Sequence, residues 1–321
     1  EIICSDDEST DRTIEIIEQD TVLPIVLIKN KKGGAGQARN QALKIAKGEI
    51  IIFTGDDILP ECDFVNRHYE NYCKYGKYVA TLGRIEWSKD INVGYLMHHI
   101  TEVGCEQFGF IALPPYQFID FRHFYTSNIS VSKFLLDMVG EHFSEKFVKY
   151  GFEDIELGYR LQNIGMKIFY DPDIVARHHH IYDSVDKFCV RQKNAGEELI
   201  VFSEIHTDLE DKCTCDVENF RLCWEKYKSK RKKGICVKKV VIAADFFCKI
   251  MEKAISLKPI NIFKSICSML YAGLFQFWFL FGCLEGIEKE ARESSKYEFV
   301  YRYMKCGFAQ LYWDIGFGIT E

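Results

Sequence analysis

The stretch VLPIVLIKNKKGGAGQARNQALKIAKGEIIIFTGDD, residues 22–57, decides the fold class of this chain. Apolar runs at residues 22–28 and 49–53 have the length of buried strands. Between them, residues 37–47 carry apolar side chains at helical spacing, and Gly48 follows as a C-cap. A helix enclosed by two buried strands predicts a βαβ unit, and therefore an α/β fold built on a mostly parallel sheet.

The same alternation of strands and helices continues on both sides of this stretch. Residues 1–4 are strand-like, and residues 10–18 have helical spacing behind capping residues. Further along we predict a strand at 78–87, a helix at 92–108, an extended segment at 121–131, helices at 132–139 and 155–164, and a strand at 167–170. Ligands of such sheets bind at the carboxyl ends of the strands, so the loops at these ends are where a site is expected.

Composition excludes several classes of protein. Of the 321 residues, 47% are hydrophobic and 27% charged, which excludes a disordered chain. The net charge of −6 argues against a nucleic-acid binder, whose surface would be basic. The 13 cysteines include no CxxC pair, so we interpret them as reduced thiols of a cytoplasmic protein rather than zinc ligands. The chain starts at Glu1 without a visible secretory signal, and we interpret it as N-terminally incomplete.

Acidic residues follow the first and third predicted strands. Asp6 and Asp7 lie in the segment SDDESTD, where a solvated capping loop explains the later residues better than this adjacent pair. A carboxylate there could accept the N–H of a nucleobase. Asp56 and Asp57 follow the strand IIIF, a position that suits a divalent cation bound together with a diphosphate, although an acidic turn is the plainer alternative.

The glycine-rich segment KGGAGQARN enters the second predicted helix. It lacks the pattern of a dinucleotide fingerprint, because Arg39 stands where Gly or Ala is required, and no Walker lysine follows. A tight loop before a helix is the plain interpretation, with Arg39 one turn into the helix and able to contact a nucleotide.

Glu153 and Asp154 open a helix, where acids are favoured by the helix dipole, so a capping role competes with a catalytic one. At its ordinary pKa near ~3.9, Asp154 would be ionised at neutral pH and ready to accept a proton. Three histidines from His178 onward follow the last predicted strand, and three in a row favour metal ligation.

Taken together and in this order, the segments SDDESTD, GGAGQARNQAL, IIIFTGDDILP, FEDIELGYRL and DPDIVARHHH resemble the GT-A glycosyltransferases of family 2. The resemblance covers residues 1 to about 205 and is closest in GFEDIELGYRLQNIGMKIFYDPD. It implies a mixed sheet flanked by helices and an inverting transfer from a nucleotide-diphosphate sugar to a glycan or lipid-linked acceptor, assisted by Mn²⁺ or Mg²⁺. It also implies that the family's first strand precedes residue 1.

The resemblance assigns roles residue by residue. Asp154 matches the catalytic base. Asp57 matches the second acid of the metal-binding DxD motif, whose first acid is Gly55 here, and His178 resembles the metal-ligating histidine. The remaining assignments are donor contacts at Asp6, Asp7, Arg39 and Asp56, and an acceptor side at Glu153 and Asn128.

The composition changes near residue 205, so we predict a catalytic domain at 1–205 and a helical extension at 206–321. Residues 226–239 hold eight Lys or Arg and no acid, and residues 265–284 hold no charge. The uncharged run is long enough to span a bilayer, but its aromatic residues lie in the middle rather than at the ends. We favour a helix buried against the catalytic domain or in a homodimer, or one in peripheral contact with a membrane, over a spanning helix.

Three other functions remain open at this point. A nucleotidyltransferase of similar layout would use a nucleoside triphosphate, and a Rossmann oxidoreductase would bind NAD, although Arg39 disfavours it. The third alternative is a non-catalytic relative that binds a nucleotide sugar or a membrane without turnover.

Overall fold

The computed structural model describes residues 1–206 and 261–290, together with Phe246 and Ile250. Its strands are β1 (Ile2–Asp6), β2 (Ile25–Lys29), β3 (Ile50–Thr54), β4 (Ile58–Pro60), β5 (Val79–Trp87), β6 (Phe118–Ile119), β7 (Asn128–Ser132) and β8 (Lys167–His178). Its α-helices are α1 (Thr13–Gln19), α2 (Ala35–Ile45), α3 (Phe64–Tyr75), α4 (Tyr95–His98), α5 (Lys133–Val139), α6 (Glu153–Asn163), α7 (Val185–Ile205) and α8 (Asn261–Glu290).

The described strands form two sheets. β1 and β2 pair in parallel as a two-stranded sheet, and the larger sheet has the order β3-β7-β5-β8-β4, with β6 paired to β8. Within it β5 and β8 are parallel, whereas β7, β4 and β6 are antiparallel to their neighbours. The mixed sheet flanked by helices is therefore confirmed. The expectation of a mostly parallel sheet, drawn from the alternation alone, is wrong for the larger sheet.

Strand directions bring the acidic loops to one edge of the larger sheet. β7 runs antiparallel to both β3 and β5, so its first residue, Asn128, lies beside the last residue of β3, Thr54. The parallel strands β5 and β8 end together at Trp87 and His178. The carboxyl ends of β3, β5 and β8 consequently share one edge, which is where ligands of such sheets bind.

Three predicted elements differ from the structure. The segment predicted as extended at 121–131 begins with a 3₁₀ turn, Phe121–His123, and its strand, β7, starts only at Asn128. The predicted helix at 92–108 is reduced to α4 and one π-helical turn, His99–Val103, because Gly104 and the left-handed Cys105 (φ 55°) end it. The last strand is much longer than the predicted 167–170. Gly83 pairs with Asp171 and Arg84 with Val175, so residues 172–174 form a bulge in β8, and the strand continues beyond it to His178.

The chain divides into two compact units. The first comprises residues 1–92 and 113–180, and the second comprises residues 93–112 and 181 onward. The core of the first unit includes the fully buried side chains of Leu82, Ile129 and Leu157, each worth roughly 1.5–3 kcal/mol of hydrophobic stabilisation. The boundary predicted near residue 205 falls at the end of α7 and stays a prediction.

In the second unit α7 packs against α8. The buried residues of α8 repeat every fourth position, at Cys267, Tyr271, Phe275, Phe279 and Cys283. Phe275 meets Phe188 of α7 with ring centroids 4.6 Å apart. One face of α8 is thus buried against α7. By length and composition alone, the stretch Lys264–Cys283 could also cross a membrane, and 35% of it is buried. The basic run at 226–239 lies outside the described residues.

Candidate active site

Asp57, His178 and His180 form a cluster at the sheet edge. The Nε2 atom of His178 lies 2.9 Å from Oδ2 of Asp57, and Nδ1 of His180 lies 3.9 Å from the same oxygen. One potential ligand atom from each side chain lies within 4.8 Å of the other two. The hydrogen bond from His178 is the main cause that lowers the pKa of Asp57 below its ordinary value, and the charges of both histidines add to it.

Strand pairing holds this cluster in place. Ile58, which follows Asp57, pairs with His178 in the antiparallel β4–β8 ladder, and the Asp57 carbonyl accepts the N–H of His179 at 2.7 Å. Trp87, the last residue of β5, pairs with His178 of β8. Its ring stacks on the His178 imidazole, with ring centroids 5.3 Å apart and planes 17° apart. Sequence analysis selected His178 but neither His180 nor Trp87, although the run of three histidines pointed to His180.

A carboxylate and two imidazoles are suitable ligands for a divalent cation. Mg²⁺ prefers oxygen ligands in near-octahedral geometry, whereas imidazole nitrogens suit transition metals. The residues therefore fit a divalent cation, and their two imidazole nitrogens favour a transition-metal ion over Mg²⁺. Gly55 contributes no ligand, and a Cβ atom there would lie 2.9 Å from Oδ1 of Asp57. An acid at position 55 would crowd the Asp57 carboxylate as it is now oriented.

Asp154 lies in the first turn of α6, on the same edge of the sheet. Its Oδ2 faces the backbone N–H of Thr126 at 3.4 Å and the Thr126 hydroxyl at 3.5 Å. Thr126 precedes β7 by two residues, beyond the end of β3. This register brings Asp154 to the edge that also carries Asp57. Thr126 has no local sequence signal and was not predicted.

Burial is the main cause that raises the pKa of Asp154 to about 7; the neighbouring carboxylate of Glu153 contributes to the rise, and Arg39 opposes it. The expectation that Asp154 keeps its ordinary pKa is therefore wrong. Sequence analysis considered the stabilising helix dipole, but it could not include the loss of solvent around the side chain. A pKa near neutrality suits a general base, because proton transfer is most efficient when the pKa lies near the working pH.

Glu153 is 7% exposed and points to Arg39 rather than to solvent. Its Oε1 lies 3.2 Å from Nη1 of Arg39, and its Oε2 accepts the N–H of Gly151 at 3.1 Å. The guanidinium of Arg39 also lies 5.4 Å from the centre of the Phe143 ring. The structure thus brings together Arg39, Glu153 and Asp154, which the resemblance divided among donor, acceptor and catalytic roles.

Asp6 and Asp7 both accept hydrogen bonds from backbone N–H groups of the loops that were expected to bind the nucleotide sugar. Asp6 is 8% exposed and accepts the N–H groups of Glu8 and Ser9 at 3.1 to 3.4 Å. Asp7 accepts the N–H of Gly33 at 2.8 Å through one oxygen and that of Gly34 at 2.9 Å through the other. Asp7 therefore holds the glycine-rich turn. Asp56 is exposed at the sheet edge next to Asp57.

Asn128 does not lie at the site surface. It is fully buried, its Oδ1 meets Nε2 of His68 at 3.0 Å, and its Nδ2 donates to the carbonyls of Arg84 and Ile174. These bonds use the polar side-chain atoms of Asn128 inside the sheet. These bonds give no support to an acceptor-side role for Asn128, because they tie β7 to β5, β8 and α3.

Comparison with known proteins begins with a family model. Residues 1–136 match the model described as glycosyl transferase family 2. Among curated proteins, the poly(ribitol-phosphate) beta-glucosyltransferase of Bacillus spizizenii is 40% identical over 91 residues, which are 27% of this chain and 14% of that protein. The uncharacterized glycosyltransferase YfnE of Bacillus subtilis is 27% identical over 223 residues, which are 56% of each chain.

A third curated relative is UDP-Glc:alpha-D-GlcNAc-diphosphoundecaprenol beta-1,3-glucosyltransferase WfaP of Escherichia coli. It is 54% identical over 59 residues, which are 18% of this chain and 23% of that protein. The chain therefore covers 14%, 56% and 23% of the lengths of these three relatives. Among solved structures, a mannosyltransferase of Pyrobaculum calidifontis in complex with GDP-Man and Mn²⁺ aligns with a TM-score of 0.49 and 14% identity, over 87% of this chain and 77% of that one.

Proposed function

We propose that this chain transfers a sugar from a nucleotide-diphosphate donor to a hydroxyl group of a glycan or lipid-linked acceptor, a function supported by the match of residues 1–136 to the glycosyl transferase family 2 model. One observation carries the proposal. The topology of the larger sheet puts a carboxylate–imidazole cluster (Asp57, His178 and His180) and a carboxylate of raised pKa (Asp154) on the same edge.

On the donor side, Asp57, His178 and His180 would hold Mn²⁺ or Mg²⁺ together with the diphosphate. A bound cation would neutralise the negative charge that develops on the departing nucleoside diphosphate. The exposed Asp56 lies beside this position. Asp6 retains acceptor capacity beyond its two backbone bonds, because a carboxylate has about four lone-pair sites, and it is the residue we assign to the nucleobase N–H.

On the acceptor side, Asp154 takes the proton of the attacking hydroxyl. The oxygen then bonds to the anomeric carbon on the face opposite the diphosphate, the bond to the diphosphate breaks, and the configuration inverts. Thr126 orients the carboxylate through its N–H and hydroxyl groups. The raised pKa of Asp154 lets the side chain accept a proton near neutral pH and release it again after each turnover.

The experiment that tests this proposal is a donor screen on the full chain. UDP-glucose, UDP-N-acetylglucosamine and GDP-mannose are supplied with Mn²⁺, and release of the nucleoside diphosphate is followed with and without glycan or polyprenyl-linked acceptors. We expect turnover with one of these donors and loss of turnover in Asp154→Asn. The matched control is Asp137→Asn, which removes an exposed carboxylate on α5.

A non-catalytic relative would bind a nucleotide sugar in calorimetry and release no nucleotide, and this result would refute the transferase proposal. A nucleotidyltransferase would instead turn over a nucleoside triphosphate with release of pyrophosphate. The beta-linked product that inversion of an alpha-linked donor requires can be identified by proton NMR of the isolated product. An alpha-linked product would overturn the inverting mechanism and leave sugar transfer standing.

We also propose that the protein acts in the cytoplasm, in peripheral contact with the inner face of the membrane. A lipid-linked acceptor would lie at that surface. The apolar stretch of α8 and the basic run at 226–239 are the segments that support such a contact.

A further inference from the structure

The two adjacent acids at the start of α6 are compensated by one cation. Arg39 reaches Glu153 from α2, and the side chains of Arg39 and Glu153 are 24% and 9% exposed. The charged groups that act on Asp154 are Glu153 on its own helix and Arg39 from α2. Two carboxylates so close together repel each other unless a positive charge offsets them. Arg39 supplies that charge.

Arg39 is held in this position by the packing of α2. Asn40, the next residue, bonds both the N–H and the carbonyl of Phe143 at 2.9 and 2.7 Å. Gly36 allows this approach, since a Cβ atom there would lie 3.1 Å from Cβ of Phe143. The Arg39 guanidinium lies against the ring of the same phenylalanine. These contacts direct Arg39 toward Glu153.

The N-terminal end of α2 is held in place on the side where the nucleotide sugar is expected to bind. Asp7, which directly follows β1, accepts the N–H groups of Gly33 and Gly34, which lead directly into α2. A single short helix therefore links the glycine-rich turn, through Arg39 and Glu153, to the proposed base.

We propose, on the premise that Asp154 is the base of the transfer, that Arg39 is a positioning residue for this base: its guanidinium holds Glu153 and balances the charge of the acid pair instead of contacting the donor. Through Asp7 and α2, the glycine-rich turn and the base are held as one rigid assembly. Arg39 thereby moves the pH range in which the enzyme works to lower pH.

Removing either partner should move the pH profile of kcat, and in opposite directions. Arg39→Gln removes a positive charge near Asp154, so the pH midpoint of its activity should rise by roughly one unit. Glu153→Gln removes a negative charge, so the midpoint should fall by a similar amount. Arg39→Lys keeps the positive charge, so its pH midpoint should stay close to that of the unchanged protein. Lys44→Gln removes a positive charge from the far end of α2 and should leave the midpoint unmoved.

The measurements are the pH profile of kcat for nucleotide release and the Kd of UDP-glucose, or of whichever donor turns over, by calorimetry. Melting curves establish that each variant is folded. If Arg39→Gln weakens donor binding tenfold or more and leaves the pH midpoint in place, Arg39 is a donor contact and the inference is wrong. Equal shifts in Lys44→Gln would also overturn it. Full turnover in Asp154→Asn would defeat the proposed function itself, whereas an inactive Asp154→Asn with unmoved profiles in the other variants defeats only the role of Arg39.

Discussion

His178 Nε2 lies 2.9 Å from Asp57 Oδ2 because Ile58, the residue after Asp57, pairs with His178 in the β4–β8 ladder. The two residues are 121 positions apart in the chain. A short antiparallel pairing therefore creates the closest contact of the cluster formed by Asp57, His178 and His180, and the same pairing brings His180 to the Asp57 carboxylate.

The first prediction concerns the metal. Asp57→Asn should lower metal-dependent turnover by roughly 10–100-fold or more, because even partners that only support a metal ligand have effects of this size. Asp56→Asn is the matched control, an exposed neighbour that should have a smaller effect. Turnover should be higher with Mn²⁺ than with Mg²⁺, because two of the three proposed ligands are imidazoles and Mg²⁺ prefers oxygen ligands. Full activity in EDTA would contradict the metal assignment, and equal losses in both variants would contradict the specific role of Asp57.

The second prediction separates stability from acceptor binding at Asn128. Asn128→Ala should leave His68 Nε2 and two strand carbonyls without their partner, at a cost of about 1–3 kcal/mol for each buried group left unsatisfied. Urea denaturation measures the loss. Asn66→Ala on the exposed face of α3 is the control and should change the free energy of unfolding by less than about 0.5 kcal/mol. A raised acceptor KM with unchanged stability would restore the acceptor-side role that the structure argues against.

The third prediction uses two glycines of α8. A Cβ atom at Gly282 would lie 1.9 Å from the Lys193 carbonyl of α7, whereas one at Gly273 would meet nothing within 4 Å. Gly282→Ala should therefore push the two helices apart and lower the Tm by several degrees. Gly273→Ala should keep or raise the Tm, because alanine is favoured in a helix by up to about 1 kcal/mol. Thermal melts that show equal effects for both variants would contradict the packing of α7 against α8.

The fourth prediction concerns the membrane. The protein should bind partly to vesicles of anionic lipid and be released by high salt if residues 226–239 make the contact, because salt screens such attraction. Met269 is 75% exposed on the face of α8 opposite the buried one. If this face enters the lipid, Met269→Glu should weaken sedimentation with vesicles, and only detergent should release the unchanged protein. Full solubility with no vesicle binding would support the purely buried interpretation of the helix.

Sequence analysis predicted the elements that depend on local patterns. The alternating strands and helices of residues 1–54, and the start of α6 at Glu153, follow from apolar periodicity and capping. The resemblance to family 2 added what periodicity lacked, namely the mixed sheet. It also selected Asp57, His178 and Asp154, which the structure brings to one edge.

Other features depend on tertiary register and have no local signal. Asp171-Pro172-Asp173 is typical of a turn, but residues 172–174 are accommodated as a bulge in β8, and pairing with β5 resumes at Val175. Trp87 belongs to the site only because its strand ends level with His178, and Thr126 only because β7 begins beside the end of β3. The raised pKa of Asp154 has the same origin, because burial is decided by residues distant in the chain.

The last prediction follows from that raised pKa. The ionised form is the base, so kcat should rise with pH through a midpoint near 7, the value to which burial and Glu153 bring Asp154. Asp154→Asn should lower kcat by roughly 10²–10⁴-fold and abolish this pH dependence, with donor affinity retained.

The stability of the folded protein should show the opposite trend with pH. The pKa of this acid is higher in the folded than in the unfolded protein, so its stabilising contribution is complete below about pH 4 and is lost as the pH rises toward 7. Asp154→Asn should therefore melt at a higher temperature than the unchanged protein at pH 8, and the difference should shrink at pH 5. A variant that retains kcat, or one that is less stable at pH 8, would show that Asp154 only caps α6.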